Sequence, residues 1–176
     1  MSRWRVWVPL LVFAAFVGLA AVMLAKPKDE FVESRMVGEE LPYFALRPAV
    51  PDRPGLASAD FKSGRPRLLN IFASWCLPCI AEAEQLGRLA AQGAVIDGIA
   101  IRDKPEDVAA FLARHGNPYR AIGADDLSEV QIALGSSGVP ETFVIDGQGR
   151  SVYQHIGDIR AENVPMLLEK LKEAGT

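Results

Sequence analysis

Hydrophobic positions follow two regimes along this chain. From Val6 to Ala25 they are nearly continuous: 20 residues without a charge, interrupted only by Pro9 and Gly18, the length of about 20 that a helix needs to cross a bilayer. Further on, the apolar positions come in short runs and helical stripes separated by turn residues. Tyr43 to Leu46 predicts a short first strand, followed by a loop with Pro48, Pro51, Pro54 and Gly55. Leu68-Leu69-Asn70-Ile71-Phe72 is short and almost wholly apolar, the pattern of a buried strand. An amphipathic stretch from Leu77 to Ala91 predicts a helix ended by Gly93, and Val95 to Ile101 a second core strand. Lys104-Pro105-Glu106-Asp107 then opens a helix, with proline in the first turn and acids where the dipole favours them. Its apolar face is Val108, Phe111 and Leu112, and it stops near Gly116. Leu127 to Leu134 is a short helix. Thr142–Ile145 and Ser151–Ile156 flank Asp146-Gly147-Gln148-Gly149, a hairpin signal, and a last amphipathic helix covers Ala161 to Glu173.

This order, β-α-β-α-(α)-β-β-α, predicts an α/β domain with a mixed sheet over residues 42–176, preceded by a polar juxtamembrane linker (26–41) and an anchor (1–25). Arg3 and Arg5 ahead of the apolar run keep the N-terminus cytoplasmic and export the rest, a rule that Lys26 and Lys28 weaken. A cleaved signal peptide with a small-residue site at Gly18-Leu19-Ala20 is the rival, but the run continues past that site to Ala25. Either reading exports the domain. Of the 19 basic residues, 17 lie beyond the anchor against 22 acidic ones, a net charge of −5 with no basic run. Nucleic acid is therefore not an expected partner.

The chain has two cysteines, both in Trp75-Cys76-Leu77-Pro78-Cys79, where the strand gives way to the helix. A strand running into a helix that opens with Cys-x-x-Cys reads as a thioredoxin-like redox motif. The spacing suits the chemistry. A thiol at the helix N-terminus meets free N–H groups and the positive end of the dipole, which favour the thiolate; a second thiol one turn on can attack a mixed disulfide and release the product. Cys76 is thus the expected nucleophile and Cys79 the resolving thiol of a redox-active disulfide. Half a zinc site is the rival, but the remaining candidates, His115 and His155, lie 36 and 76 residues beyond Cys79, too scattered for a structural site. A purely structural bridge over so short a loop adds little stability.

Other residues have competing readings. In a thioredoxin-like fold Val139-Pro140, just before a strand, is the place of a cis-proline loop that faces the dithiol and offers backbone groups to an extended client. Glu141 is either a rim residue that selects a partner or an ordinary solvated strand-start glutamate. Glu82, three residues after Cys79, is either a partly buried acid that takes the Cys79 proton or raises the thiol pKa, or a surface glutamate like Glu84. Trp75 packs beside the dithiol, or is simply a large apolar cap. Asn70 stands where general thioredoxins carry a buried aspartate, which gives Glu82 added interest.

Leu69-Asn70-Ile71-Phe72-Ala73-Ser74-Trp75-Cys76-Leu77-Pro78-Cys79 with Glu82 resembles the membrane-anchored periplasmic thioredoxins. Gly116-Asn117-Pro118-Tyr119 and Gly138-Val139-Pro140-Glu141-Thr142-Phe143-Val144-Ile145-Asp146 are similar to the thiol:disulfide interchange proteins of cytochrome c maturation, the DsbE/CcmG type. The resemblance covers residues 36–172. It implies a thioredoxin-like fold and a single-pass protein of the bacterial inner membrane with its domain in the periplasm. It implies a reductase that keeps the haem-binding cysteines of apocytochrome c, or the disulfide of an assembly-complex subunit, reduced. Such a protein is re-reduced by a transmembrane dithiol donor and needs no organic cofactor or metal. By the same resemblance Cys76 attacks, Cys79 resolves, Glu82 tunes the pair, and Trp75, Val139, Pro140 and Glu141 shape the client groove. A broader anchored reductase and an apocytochrome-binding module are the alternative functions. Two stretches depart from the type: Ala100-Ile101-Arg102-Asp103 stands for an Asn-Tyr-Lys-Asp run, and Ser136-Ser137 for a Val-Tyr pair.

Overall fold

The structure, a computed structural model, describes residues 4–25 and 36–175, with side-chain surroundings for 7–19 and 36–175. The chain divides into two units, residues 1–32 and 33–176. Most of the expected linker, 26–35, lies outside the described residues. The first unit holds helix α1, Trp4–Ala25. Among the described residues no helix is long and apolar enough to cross a membrane; the span expected over 6–25 reaches beyond the side chains described for α1.

The second unit is built on a five-stranded mixed sheet of order β5-β4-β3-β6-β7. Its central strand β3, Arg67–Phe72, runs parallel to β4, Ile96–Ile101, and antiparallel to β6, Glu141–Ile145. Parallel neighbours cannot be joined by a tight turn and need a crossover. Helix α2, Leu77–Ala91, makes the first crossover, and α3, Pro105–His115, the second, leading to β5, Tyr119–Asp125. After the five-residue α4, Glu129–Ala133, the chain enters the β6–β7 hairpin, with β7 at Ser151–Ile156. Asp146 shapes that turn by accepting the N–H groups of Gln148 and Arg150 at 2.8 and 2.9 Å. Helix α5, Asn163–Glu173, closes the domain and packs against α2. This is the thioredoxin-like arrangement expected, with helices flanking a mixed sheet.

The helix α2 and the strand β7 fall where the residue pattern puts them. Two strands do not appear in that pattern. β5 is Tyr-Arg-Ala-Ile-Gly-Ala-Asp, too rich in small and charged residues to show an apolar run, yet all of it except Arg120 is buried beside β4. The other is β2, Leu56–Ala57, which pairs with β1, Ala45–Leu46, in a two-stranded hairpin shorter than the expected Tyr43–Leu46 strand. Tyr43 is exposed there and Phe44 buried.

One core fills the domain, with Phe61, Phe72, Phe143, Leu68 and Ile71 among its fully buried side chains. Gly98, in the middle of β4, stands opposite Asn70 of β3. A Cβ there would lie 3.0 Å from ring carbons of both Phe72 and Tyr119, so glycine is what allows those rings to stack at 4.8 Å across it.

Candidate active site

The chain leaves β3 at Phe72 and turns through Ala73-Ser74-Trp75 into α2, whose N-cap is Cys76. The turn is held from the far side. Asp103, just beyond β4, accepts the Ser74 N–H at 2.6 Å and its hydroxyl at 2.8 Å, and Trp75 Nε1 donates to the Arg102 carbonyl at 3.3 Å. Trp75 nonetheless keeps 58% of its surface exposed, an apolar platform beside the dithiol.

Cys76 and Cys79 form a disulfide, and Cys76 Sγ accepts the Cys79 N–H at 3.2 Å. Both are nearly buried, Cys76 at 4% and Cys79 at 1% exposure. In the reduced pair that same N–H, at the positive end of α2, favours a Cys76 thiolate.

One turn further along α2, Glu82 has no exposed surface. The surface-glutamate reading is therefore excluded. Its Oε1 accepts a bond from Asn70 Nδ2 at 2.9 Å and its Oε2 the Ile159 N–H at 3.0 Å. Burial is the main cause that lifts its pKa from 4.5 to about 7; the Asp158 charge adds to the rise, and the two hydrogen bonds oppose it. A carboxyl poised near neutral pH can both accept and return a proton. Asn70 in turn accepts the hydroxyl of Tyr119 at 2.7 Å and donates to Thr142 Oγ1 at 2.9 Å. Burial, with the Glu82 charge second, pushes the Tyr119 phenol well above its ordinary value, so it remains a hydrogen-bond donor.

The Val139–Pro140 bond is cis. The Pro140 carbonyl accepts the Gly157 N–H at 3.0 Å, and the Gly138 carbonyl accepts from Gln131 Nε2 and Ser136 Oγ. The Val139 N–H and carbonyl have no partner among the described residues. Glu141 corrects its expectation. It is neither on the rim nor solvated but 1% exposed, because as the first residue of β6 it points inward under the preceding turn. Its carboxylate accepts the Ser137 N–H and hydroxyl at 2.8 and 2.7 Å and Gln154 Nε2 at 2.6 Å. Ser136 and Ser137, the departures from the family pattern, are thus hydrogen-bonding members of the loop.

Sequence reasoning passed over Tyr119, Thr142, Asp158 and the Ile159 N–H. Tyr119 lay in the quoted Gly-Asn-Pro-Tyr stretch, but without its strand nothing tied it to the dithiol. His155 Nε2 lies 3.2 Å from the Asp158 carbonyl, and His115 leans on the Phe111 ring. No group of three or more metal-ligating side chains exists among the described residues. A cleft of about 330 Å³ runs from Ser74 and Trp75 along α3, past Phe111 and Arg114.

Comparison with known proteins agrees with this geometry. The Redoxin family model matches residues 36–171. The chain is 34% identical to the thiol:disulfide interchange protein HelX of Rhodobacter capsulatus over 176 residues, covering 100% of this chain and 99% of that one. It is 35% identical to the thiol:disulfide interchange protein DsbE of Escherichia coli K12 over 185 residues, covering 99% of each. Among solved structures, a thioredoxin-family thiol:disulfide interchange protein of Chlorobium tepidum superposes with a TM-score of 0.60 at 22% identity, over 82% of this chain and all of that one; it supports the fold alone. A disulfide at a strand-to-helix turn, on a fold and a full-length sequence shared with these proteins, makes the chain a disulfide oxidoreductase that belongs to the Redoxin family beside DsbE and HelX.

Proposed function

We propose that this oxidoreductase works in cytochrome c maturation, reducing the disulfide of apocytochrome c or of an assembly-complex subunit at the outer face of a bacterial inner membrane. The observation that carries the proposal is the end-to-end similarity to DsbE and HelX, α1 included. Support for an uncleaved anchor comes from α1, whose large apolar side chains from Trp7 to Leu19 are exposed.

Reduction runs in two exchanges. The Cys76 thiolate attacks one sulfur of the client disulfide, and the other client sulfur leaves as a thiolate. Cys79 then gives its proton to Glu82 and attacks Cys76 Sγ. The mixed disulfide breaks, the client departs fully reduced, and the Cys76–Cys79 disulfide remains. Two electrons and two protons from a membrane dithiol donor restore the pair. Trp75, Val139 and Pro140 form the client contact, with Val139 offering its main-chain N–H and carbonyl.

The test is complementation of a bacterium that lacks its own DsbE, scored by haem staining of c-type cytochromes. Wild type restores them and Cys76→Ser does not. Restoration by the Cys76→Ser/Cys79→Ser double variant would replace the reductase with a binding module. A wild-type protein that reduces disulfides in vitro yet restores no cytochrome would point to a broader reductase.

A further inference from the structure

The mechanism above uses the Glu82 carboxylate but not the side chains that hold it from the sheet. The Asn70 carboxamide is fully engaged: Oδ1 accepts the Tyr119 hydroxyl at 2.7 Å, while Nδ2 donates to Glu82 Oε1 and to Thr142 Oγ1, each at 2.9 Å. Turning the amide over would set its oxygen against Glu82. An ionised carboxylate has lone pairs and no proton to give, so that orientation suits only protonated Glu82. The orientation of Asn70 and the proton on Glu82 are therefore linked.

The two hydroxyls on the amide are not equivalent in this respect. Thr142 accepts now and would donate after a turn, so it serves either orientation. The Tyr119 proton has Asn70 Oδ1 as its one acceptor among the described residues, and a turn would strand it in a buried site. The phenol cannot swing away, since Tyr119 is 3% exposed and stacked on Phe72.

We propose that Tyr119 and Asn70 are a positioning pair: the phenol locks the amide with its N–H on Glu82 and so holds Glu82 in the proton-accepting form. The inference rests on Glu82 taking the Cys79 proton in the resolving step, from Cys79 Sγ to a Glu82 oxygen. The other groups around Glu82 are the Ile159 N–H, which favours its ionised form, and the Asp158 charge, which opposes it; both sit in the segment after β7.

The experiment uses the full chain in detergent. The infrared carbonyl band of protonated Glu82, identified by its loss in Glu82→Gln, is titrated beside the pH profile of disulfide turnover. Tyr119→Phe keeps the ring and removes the lock. It is expected to move both midpoints up by roughly one pH unit, so that turnover falls about tenfold on the acid side while rates converge at high pH. Asn70→Ala, which removes the donor itself, is expected to shift the band further in the same direction. An unmoved infrared midpoint in folded Tyr119→Phe overturns the positioning pair, even where Glu82→Gln still slows turnover. If Glu82→Gln leaves turnover intact, the proton role falls. The infrared midpoint then decides the lock alone, moved in its favour and unmoved against it.

Discussion

Glu82 and Glu141 are equally hidden, at 0% and 1% exposure, and they do different work. Glu141 is surrounded by three donors, two of them from Ser137, and it ties the cis-proline loop to β7 through Gln154. Glu82 has two donors, and burial outweighs them enough to bring it to about pH 7. Burial alone does not define the role of a carboxyl; the donors that meet it also count. Glu84, on the same helix, marks the third case, exposed and paired with Arg88.

The contrast breaks most visibly at Glu141. Glu141→Ala removes the buried acceptor shared by the Ser137 N–H and hydroxyl and by Gln154 and is expected to cost about 3 kcal/mol of folding stability, read as a lower urea midpoint. Next comes Glu82→Gln, expected to slow turnover by about 10²-fold near pH 7 and to erase the inflection there. The same variant sharpens the comparison through stability. Folded Glu82 keeps its proton up to about pH 7, whereas the unfolded chain loses it near 4.5. The unfolded state thus binds fewer protons between those values, and wild-type stability falls as pH rises through that window, by up to about 3 kcal/mol. Glu82→Gln is expected to flatten this slope in urea titrations at pH 4.5 and 8; a slope kept by the variant would assign it to other groups. The smallest effect belongs to Glu84→Ala, a change below about 0.5 kcal/mol in thermal unfolding with unaltered turnover.

Much of this was legible in the residues. The bounds of α2 follow from its amphipathic pattern, with Gly93 beyond its end, and Cys76 and Cys79 declare the chemistry by their spacing at its start. Glu82 could be singled out because Asn70 replaces an acid in the preceding strand. The inward turn of Glu141 was not legible, since it depends on pairing with β3 and β7 and on a serine turn that has no sequence periodicity. β5 escaped for a related reason. Its residues are small because neighbouring elements cover both its faces, so the usual signals of a strand are absent. With β5 unseen, Tyr119 had no visible route to Asn70.

That route depends on a residue with no side chain at all. Gly98 lies on the strand between those that carry Asn70 and Tyr119. Its bare backbone leaves a notch through which the phenol reaches across β4. A single methyl group at this position would press on the Tyr119 and Phe72 rings and tilt the hydroxyl off its acceptor. β4 would then govern proton traffic at the dithiol through vacant space, and Gly98→Ala would reproduce the chemistry of Tyr119→Phe with every polar atom still in place.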